Sequence, residues 1–349
     1  YVAFSGVVAF TDGIDLYVKD RLAGDLTRLP VDRHGVDYGG LAPSISDDGR
    51  YVVFASDNDH LVAGDTNQGR DIFLADMATG AITRVNTDAA GQEAIAEGHF
   101  YDSFYAEYYG VEEYWVGPNE WDWEYRPYNY SVHEERITDT FFGGSDQPVI
   151  SGNGRFVLFA SDASNLVADD GNDFRDIIYQ ESHSLCDGWG LRSEYRTAFG
   201  RDIFRKDLLT GAIERVNTSD AGEEFSWSPS GSPDISADGR FVAFDNGWQV
   251  YVKDMEMGRL TTVAVGLGGK NANGASFDPH LSADGRYVSF TSQASNLVAG
   301  DDNGVADVFW KDLVTGTLTR VSRDARGGSA DGASGEAAIA GDGHTVVFS

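Results

Sequence analysis

The chain has a single cysteine, Cys186, so no internal disulfide can form. It lies outside the repeated segments described below and reads as a bystander rather than a nucleophile. Proline is scarce, 8 residues against 42 glycines, so the turns rest mainly on glycine. Basic side chains are few, 26 against 56 acidic ones, which leaves a formal charge of −30. A surface so poor in cations argues against nucleic acid as a partner, because phosphate binding needs basic groups. It disfavours anionic membranes for the same reason. It favours cations, basic partners or a calcium-rich medium. No apolar run approaches the roughly 18 residues that a membrane helix needs, so direct membrane insertion is not expected. The sequence opens on Tyr1 and closes on Ser349, both within strand-like runs, and reads as part of a longer polypeptide.

What the chain has is repetition. A turn-plus-strand unit recurs as SDDGRYVVF (46–54), SGNGRFVLF (151–159), SADGRFVAF (236–244), SADGRYVSF (282–290) and AGDGHTVVF (340–348). Asp-Gly or Asn-Gly between alternating apolar runs signals a hairpin. A second unit follows: DIFLADMATGAITRVNT (71–87), DIFRKDLLTGAIERVNT (202–218), VYVKDMEMGRLTTVAV (250–265) and DVFWKDLVTGTLTRVS (307–322), with DLYVKDRLAGDLTRL (15–29) at the N-terminus. Together the two hairpins supply four short strands, A to D, every 45 to 60 residues.

Four-stranded units in series predict a β-propeller, which leaves only short, protected edges. The spacing of the turn glycines leaves room for a sixth unit, so residues 92–140 read as a degenerate, aromatic-rich blade and 177–200 as an insertion. The expected fold is therefore all-β, a six-bladed propeller of four-stranded blades over 1–349, with one blade closed by both termini. Five blades with a long aromatic insertion is the alternative.

The pattern S-x-D-G-R-[YF]-V-x-F followed by D-[IV]-F-x-x-D-x-x-T-G-x-x-x-R-V resembles the WD-repeat-like propeller repeat of TolB-type proteins. Where that family carries Pro before the turn, this chain has Asp47, Gly152, Ala237 and Ala283. The resemblance covers nearly the whole chain, more weakly over 92–140 and 177–200. It implies a six- or seven-bladed propeller in an extracytoplasmic protein, periplasmic, cell-surface or secreted. It implies little about activity, because propellers host binding modules, peptidase gates, lyases and hydrolases.

The loops between strands B and C carry a second pattern, D-x-N-x-x-x-D. It holds Asp65, Asn67 and Asp71 in the first copy, Asp170, Asn172 and Asp176 in the second, and Asp301, Asn303 and Asp307 in the third. Oxygen ligands on alternate residues of a tight loop suit Ca2+, which takes six to eight oxygens at about 2.3–2.6 Å. About three structural calcium sites are expected, with Asx-turns as the plainer alternative. In the second copy Asp202 is a rival to Asp176, because the inserted segment obscures where strand C starts.

The segment 99–130 concentrates aromatic side chains. Tyr108, Tyr109, Trp115, Trp121, Trp123 and Tyr125 are candidate partner-binding residues, since Tyr and Trp anchor protein interfaces. They also stack on sugars, or pack as the core of a diverged blade. No catalytic set is legible. The seven histidines are scattered, and neither H-E-x-x-H nor G-x-S-x-G occurs. The reading is a non-catalytic, calcium-stabilised propeller that binds a protein partner or serves as a scaffold. The alternative is a carbohydrate-active propeller, a glycoside hydrolase or lyase.

Overall fold

The computed structural model describes residues 2–7, 14–20, 24–29, 42–67, 69–95, 100–105, 107–117, 120–129, 134–137, 144–168, 175–185, 188–198, 201–223, 231–324, 327–328, 330 and 332–349. For 2–7, 14–15, 100–137 and 175–198 the description is of the backbone. The fold is all-β, with one short 3-10 turn at Leu267–Gly269 and no α-helix among the described residues. No helix there is long and apolar enough to cross a membrane.

Four complete sheets repeat the same antiparallel meander, A-B-C-D. The first is Ser44–Ile45, Tyr51–Ser56, Asp71–Asp76 and Ala81–Arg84. The second is Ser145–Ile150, Phe156–Ser161, Asp202–Asp207 and Ile213–Arg215. The third is Gly231–Ile235, Phe241–Asp245, Val250–Asp254 and Arg259–Thr262. The fourth is Ser276–Leu281, Tyr287–Ser292, Asp307–Asp312 and Leu318–Arg320. A three-stranded sheet, Val2–Val7, Ile14–Lys19 and Leu26–Leu29, precedes them. A hairpin, Ala338–Ile339 with Val346–Val347, follows.

The repeated letters have distinct physical jobs. In the A–B turn, Ser46 Oγ donates to Asp48 Oδ1 at 2.6 Å and accepts from the Tyr51 amide at 3.0 Å. Arg50 then pairs two guanidinium nitrogens with Asp76 at the end of strand C, at 3.2 and 2.9 Å. Arg155–Asp207, Arg240–Asp254 and Arg286–Asp312 repeat that fork. These arginines hold the four carboxyls below the usual carboxylate range. Inside each sheet, an aromatic of strand B stacks on one of strand C. The centroids are 5.8 Å apart for Phe54–Phe73 and Phe159–Phe204, 5.5 Å for Phe244–Tyr251 and 5.6 Å for Phe290–Phe309. All of these phenylalanines are fully buried, each contributing about 1.5–3 kcal/mol on area grounds.

Neighbouring sheets are locked at the A–B turns. Asp47 N donates to Gly152 O, Asn153 N to Ala237 O, Ala237 N to Ala283 O, and Ala283 N to Gly341 O, at 2.8–2.9 Å. Gly239 must be glycine twice over. Its φ is +82°, and a Cβ there would lie 2.1 Å from the Phe156 ring of the preceding sheet. Lysines of strand C add a second lock. Lys206 Nζ donates to Thr87 O and Asp88 O, Lys253 Nζ to Thr218 O and Ser219 O, and Lys311 Nζ to Val263 O. Burial pushes all three ammonium groups below their ordinary range.

These contacts make the first and second complete sheets direct neighbours. The chain between them leaves for a second compact unit, Glu97–Phe141 with Asp173–Phe199. Where the sequence suggests a blade in 92–140 and a separate insertion in 177–200, the backbone pairs the two segments in one sheet. Its strands run in the order Glu134–Ile137, Phe100–Tyr105, Gly188–Ala198 and Arg175–Leu185. Strands Glu107–Gly117 and Glu120–Asn129 form a two-stranded hairpin of their own. Non-local pairing of this kind leaves no periodic trace in the sequence.

Candidate functional site

The first and third acidic loops meet a cation supplied by the chain itself. Asp71 and Asp307 open strand C and are fully buried, and Asp202 does the same in the second sheet at 2% exposure. Each faces the arginine of the R-V pair on strand D. Arg84 Nη1 lies 3.2 Å from Asp71 Oδ2, Arg215 Nη1 3.3 Å from Asp202 Oδ2, and Arg320 Nη1 3.5 Å from Asp307 Oδ2. The residue two further on completes the pocket. Asn86 and Asn217 amides donate to Asp71 and Asp202 at 2.5 Å, and Ser322 Oγ donates to Asp307 at 2.6 Å.

The loop residues close over this pair. Asp65 lies 3.0 Å from Arg84 Nη1, and Asp301 lies 2.9 Å from Arg320 Nη1. Asn67 Nδ2 donates to Asp71 and to Ala94 O, and Asn303 Nδ2 to Asp307 and Ala330 O. Glu93 joins the first cluster, 3.0 Å from Arg84 and hydrogen-bonded to the Thr66 amide and hydroxyl. Three carboxylates therefore share one guanidinium there. Burial first, and the neighbouring Asp71 second, push Asp65 up to about 6. Burial likewise raises Asp301. Asp65 Oδ1 is in ion-pair range of Arg84 but out of line for a hydrogen bond.

The third complete sheet is an internal control. Its equivalents of Asp71, Arg84 and Asn86 are Gln249, Thr262 and Ala264, all three neutral. Gln249 closes the same space by accepting from the Val250 and Ala264 amides and donating to Ala264 O. The aspartate is absent where the arginine is absent. Among the described residues no group of three or more His, Cys, Asp or Glu side chains is arranged to hold a metal ion. Of the second loop, Asp170 and Asn172 lie outside the described residues. Asp176 stands on strand Arg175–Leu185 of the second unit, opposite Thr197. Asp202 is thus the structural counterpart of Asp71 and Asp307.

The candidate partner-binding residues fall on the Glu107–Asn129 hairpin. The register sets Trp115 opposite Trp121, Glu113 opposite Trp123, Val111 opposite Tyr125 and Tyr109 opposite Pro127. Strand alternation places Tyr109, Trp115, Trp121, Trp123 and Tyr125 on one face, and Tyr108 with Tyr128 on the other.

A further constellation, not anticipated from the sequence, lies along strand A. Ala42, Gln147, Ser232, Asp278 and Glu336 all have positive φ, between 33° and 56°. Pro43, Pro148, Pro233 and Pro279 follow the first four, at equivalent positions in successive repeats. Left-handed backbone at a residue preceding proline is disfavoured, so four recurrences mark strain held by the surroundings. Polar side chains along the same row bridge neighbouring sheets. Gln147 Oε1 accepts from the Ser232 amide at 2.9 Å, and Asp234 Oδ2 from the Leu281 amide at 2.7 Å. His280 stands between Asp234 and Asp278, 3.7 Å from each. Burial alone lowers its pKa, but the two carboxylates outweigh burial and raise it. The legible signal is x-Pro-x-[Ile/Leu]-Ser at the start of four turns, which proline scarcity makes conspicuous.

No protein-family model matches the chain, and no curated protein matches it. Solved structures similar to it include a putative TolB from Agrobacterium tumefaciens, 14% identical over 80% of this chain and 78% of that one, TM-score 0.31. They include the hydrazine synthase of Kuenenia stuttgartiensis, 14% identical over 96% of this chain and 67% of that one, TM-score 0.41. A periplasmic gluconolactonase from Pseudomonas aeruginosa is 17% identical over 99% of this chain and 88% of that one, TM-score 0.36. It is the repeat itself, seen strand for strand in four sheets, that makes this chain similar to the TolB-like propeller family its sequence resembles.

Proposed function

We propose that the chain is an extracytoplasmic β-propeller scaffold that binds a protein partner through its second unit. The observation that carries this reading is the second unit itself. Two segments inserted at different points of the repeat, 97–141 and 173–199, pair in one sheet and carry the aromatic hairpin. The repeats need neither segment for their own turn-to-turn locks. In this reading the acidic loops are structural, with Arg84, Arg215 and Arg320 as their cations and calcium as a candidate additional occupant. Native mass spectrometry of the protein purified from its source tests the proposal. A retained protein partner, lost when residues 107–129 are replaced by a short Gly-Ser turn, is the expected result. No retained partner would overturn it.

A second reading, a carbohydrate-active propeller, draws on His280 between Asp234 and Asp278 on a strained strand. Carboxylates about 5–10 Å apart serve glycoside hydrolysis. Turnover of glycans that disappears in Asp234→Asn and Asp278→Asn would favour it.

A further inference from the structure

We infer that the aromatic face of the Glu107–Asn129 hairpin receives an extended basic segment of the partner, with Arg or Lys at every second position. This deepens the reading above and rests on it. The hairpin hydrogen-bonds to no third strand among the described residues, although strand Gly188–Ala198 lies beside Glu107–Gly117, and a two-stranded sheet with little covering is marginal in water. A covering segment would complete it. The face assignment follows from the register, with Tyr109, Trp115, Trp121, Trp123 and Tyr125 sharing one side. Trp121, Trp123 and Tyr125 are two residues apart along the strand, so the rows repeat about every 7 Å. Alternate side chains of an extended peptide have the same spacing.

Charge selects the chemistry of that peptide. Residues 97–141 hold eleven Asp and Glu against two Arg and no Lys, a balance of 2 − 11 = −9. Glu113 shares the aromatic face, opposite Trp123. Aromatic faces attract guanidinium and ammonium groups, Trp most strongly, and adjacent carboxylates complete the preference for cations. A neutral glycan would use the rings but not this charge, and an acidic partner would be repelled by it.

The probe is a labelled dodecapeptide of alternating Arg and Thr, with an alternating Glu and Thr peptide as control, titrated by fluorescence anisotropy at physiological salt. Wild-type protein should bind the basic peptide and not the acidic one. Trp121→Leu with Trp123→Leu leaves the net charge unchanged and should weaken binding at least tenfold. Equal affinity in that variant would overturn the inference, leaving only the field of a −30 protein. Hydrogen exchange on the wild-type protein gives a readout that needs no variant. Protection on peptide addition should fall within 107–129, and protection confined elsewhere would overturn the inference. A source partner lost with the hairpin but lacking a basic segment would sink this inference alone. Absence of any partner would sink the proposed function as well.

Discussion

Arg320 Nη1 lies 2.9 Å from Asp301 and 3.5 Å from Asp307, and the side chains of all three are under 5% exposed. One guanidinium thus serves two buried carboxylates from different parts of the same repeat. Removing it leaves both uncompensated. Arg320→Thr should cost about 3–5 kcal/mol in denaturant unfolding. The triple change Asp307→Gln, Arg320→Thr and Ser322→Ala copies the third sheet's neutral set. It should recover part of that loss, and a fully additive triple variant would refute the coupling.

Chelation separates the two candidate cations of the loops. With the guanidinium as sole cation, excess chelator leaves the melting temperature unchanged, which is the expected outcome. A fall in melting temperature that added calcium restores, abolished by Asp301→Asn, would place calcium there instead.

Asp65 has its carboxyl raised to about 6 in the folded chain. A raised group contributes stability below its unfolded value, and that contribution is lost as pH rises through the folded value. The loss therefore falls between about pH 4 and pH 6. Asp65→Asn should raise the melting temperature relative to wild type more at pH 7 than at pH 4. Equal differences at both would show that Asp65 titrates normally.

Gly239 and Gly211 share positive φ, +82° and +74°, but only Gly239 faces a ring, at 2.1 Å from its absent Cβ. Gly211→Ala should cost only the left-handed penalty, about 1–2 kcal/mol. Gly239→Ala should cost clearly more in urea melts, because Phe156 must move. Similar values would mean that the turn can shift away from the ring.

The sequence alone determined the repeated hairpins, because Ser-x-Asp-Gly-Arg is a local device. Ser46, Asp48 and Gly49 act on backbone within five residues, so their spacing is visible in one dimension. The strands themselves were legible as period-2 alternation, whereas the stacking of Phe54 on Phe73 and its counterparts needed the pairing of strand B with strand C. The acidic loops were legible as a pattern but not as a chemistry. Asp65 and Asp71 read as calcium ligands in the sequence, while the approach of Arg84, thirteen residues after Asp71, depends on strand D pairing with strand C. The choice between Asp176 and Asp202 needed the same pairing. Tertiary structure alone decided that 97–141 and 173–199 share a sheet, since pairing across the intervening strands A and B has no local signature. It alone decided the position of His280, whose carboxylate neighbours come one from its own strand and one from the sheet before. Short-range hydrogen bonds are written into neighbouring residues, whereas buried charges are assigned their partners only when distant strands meet.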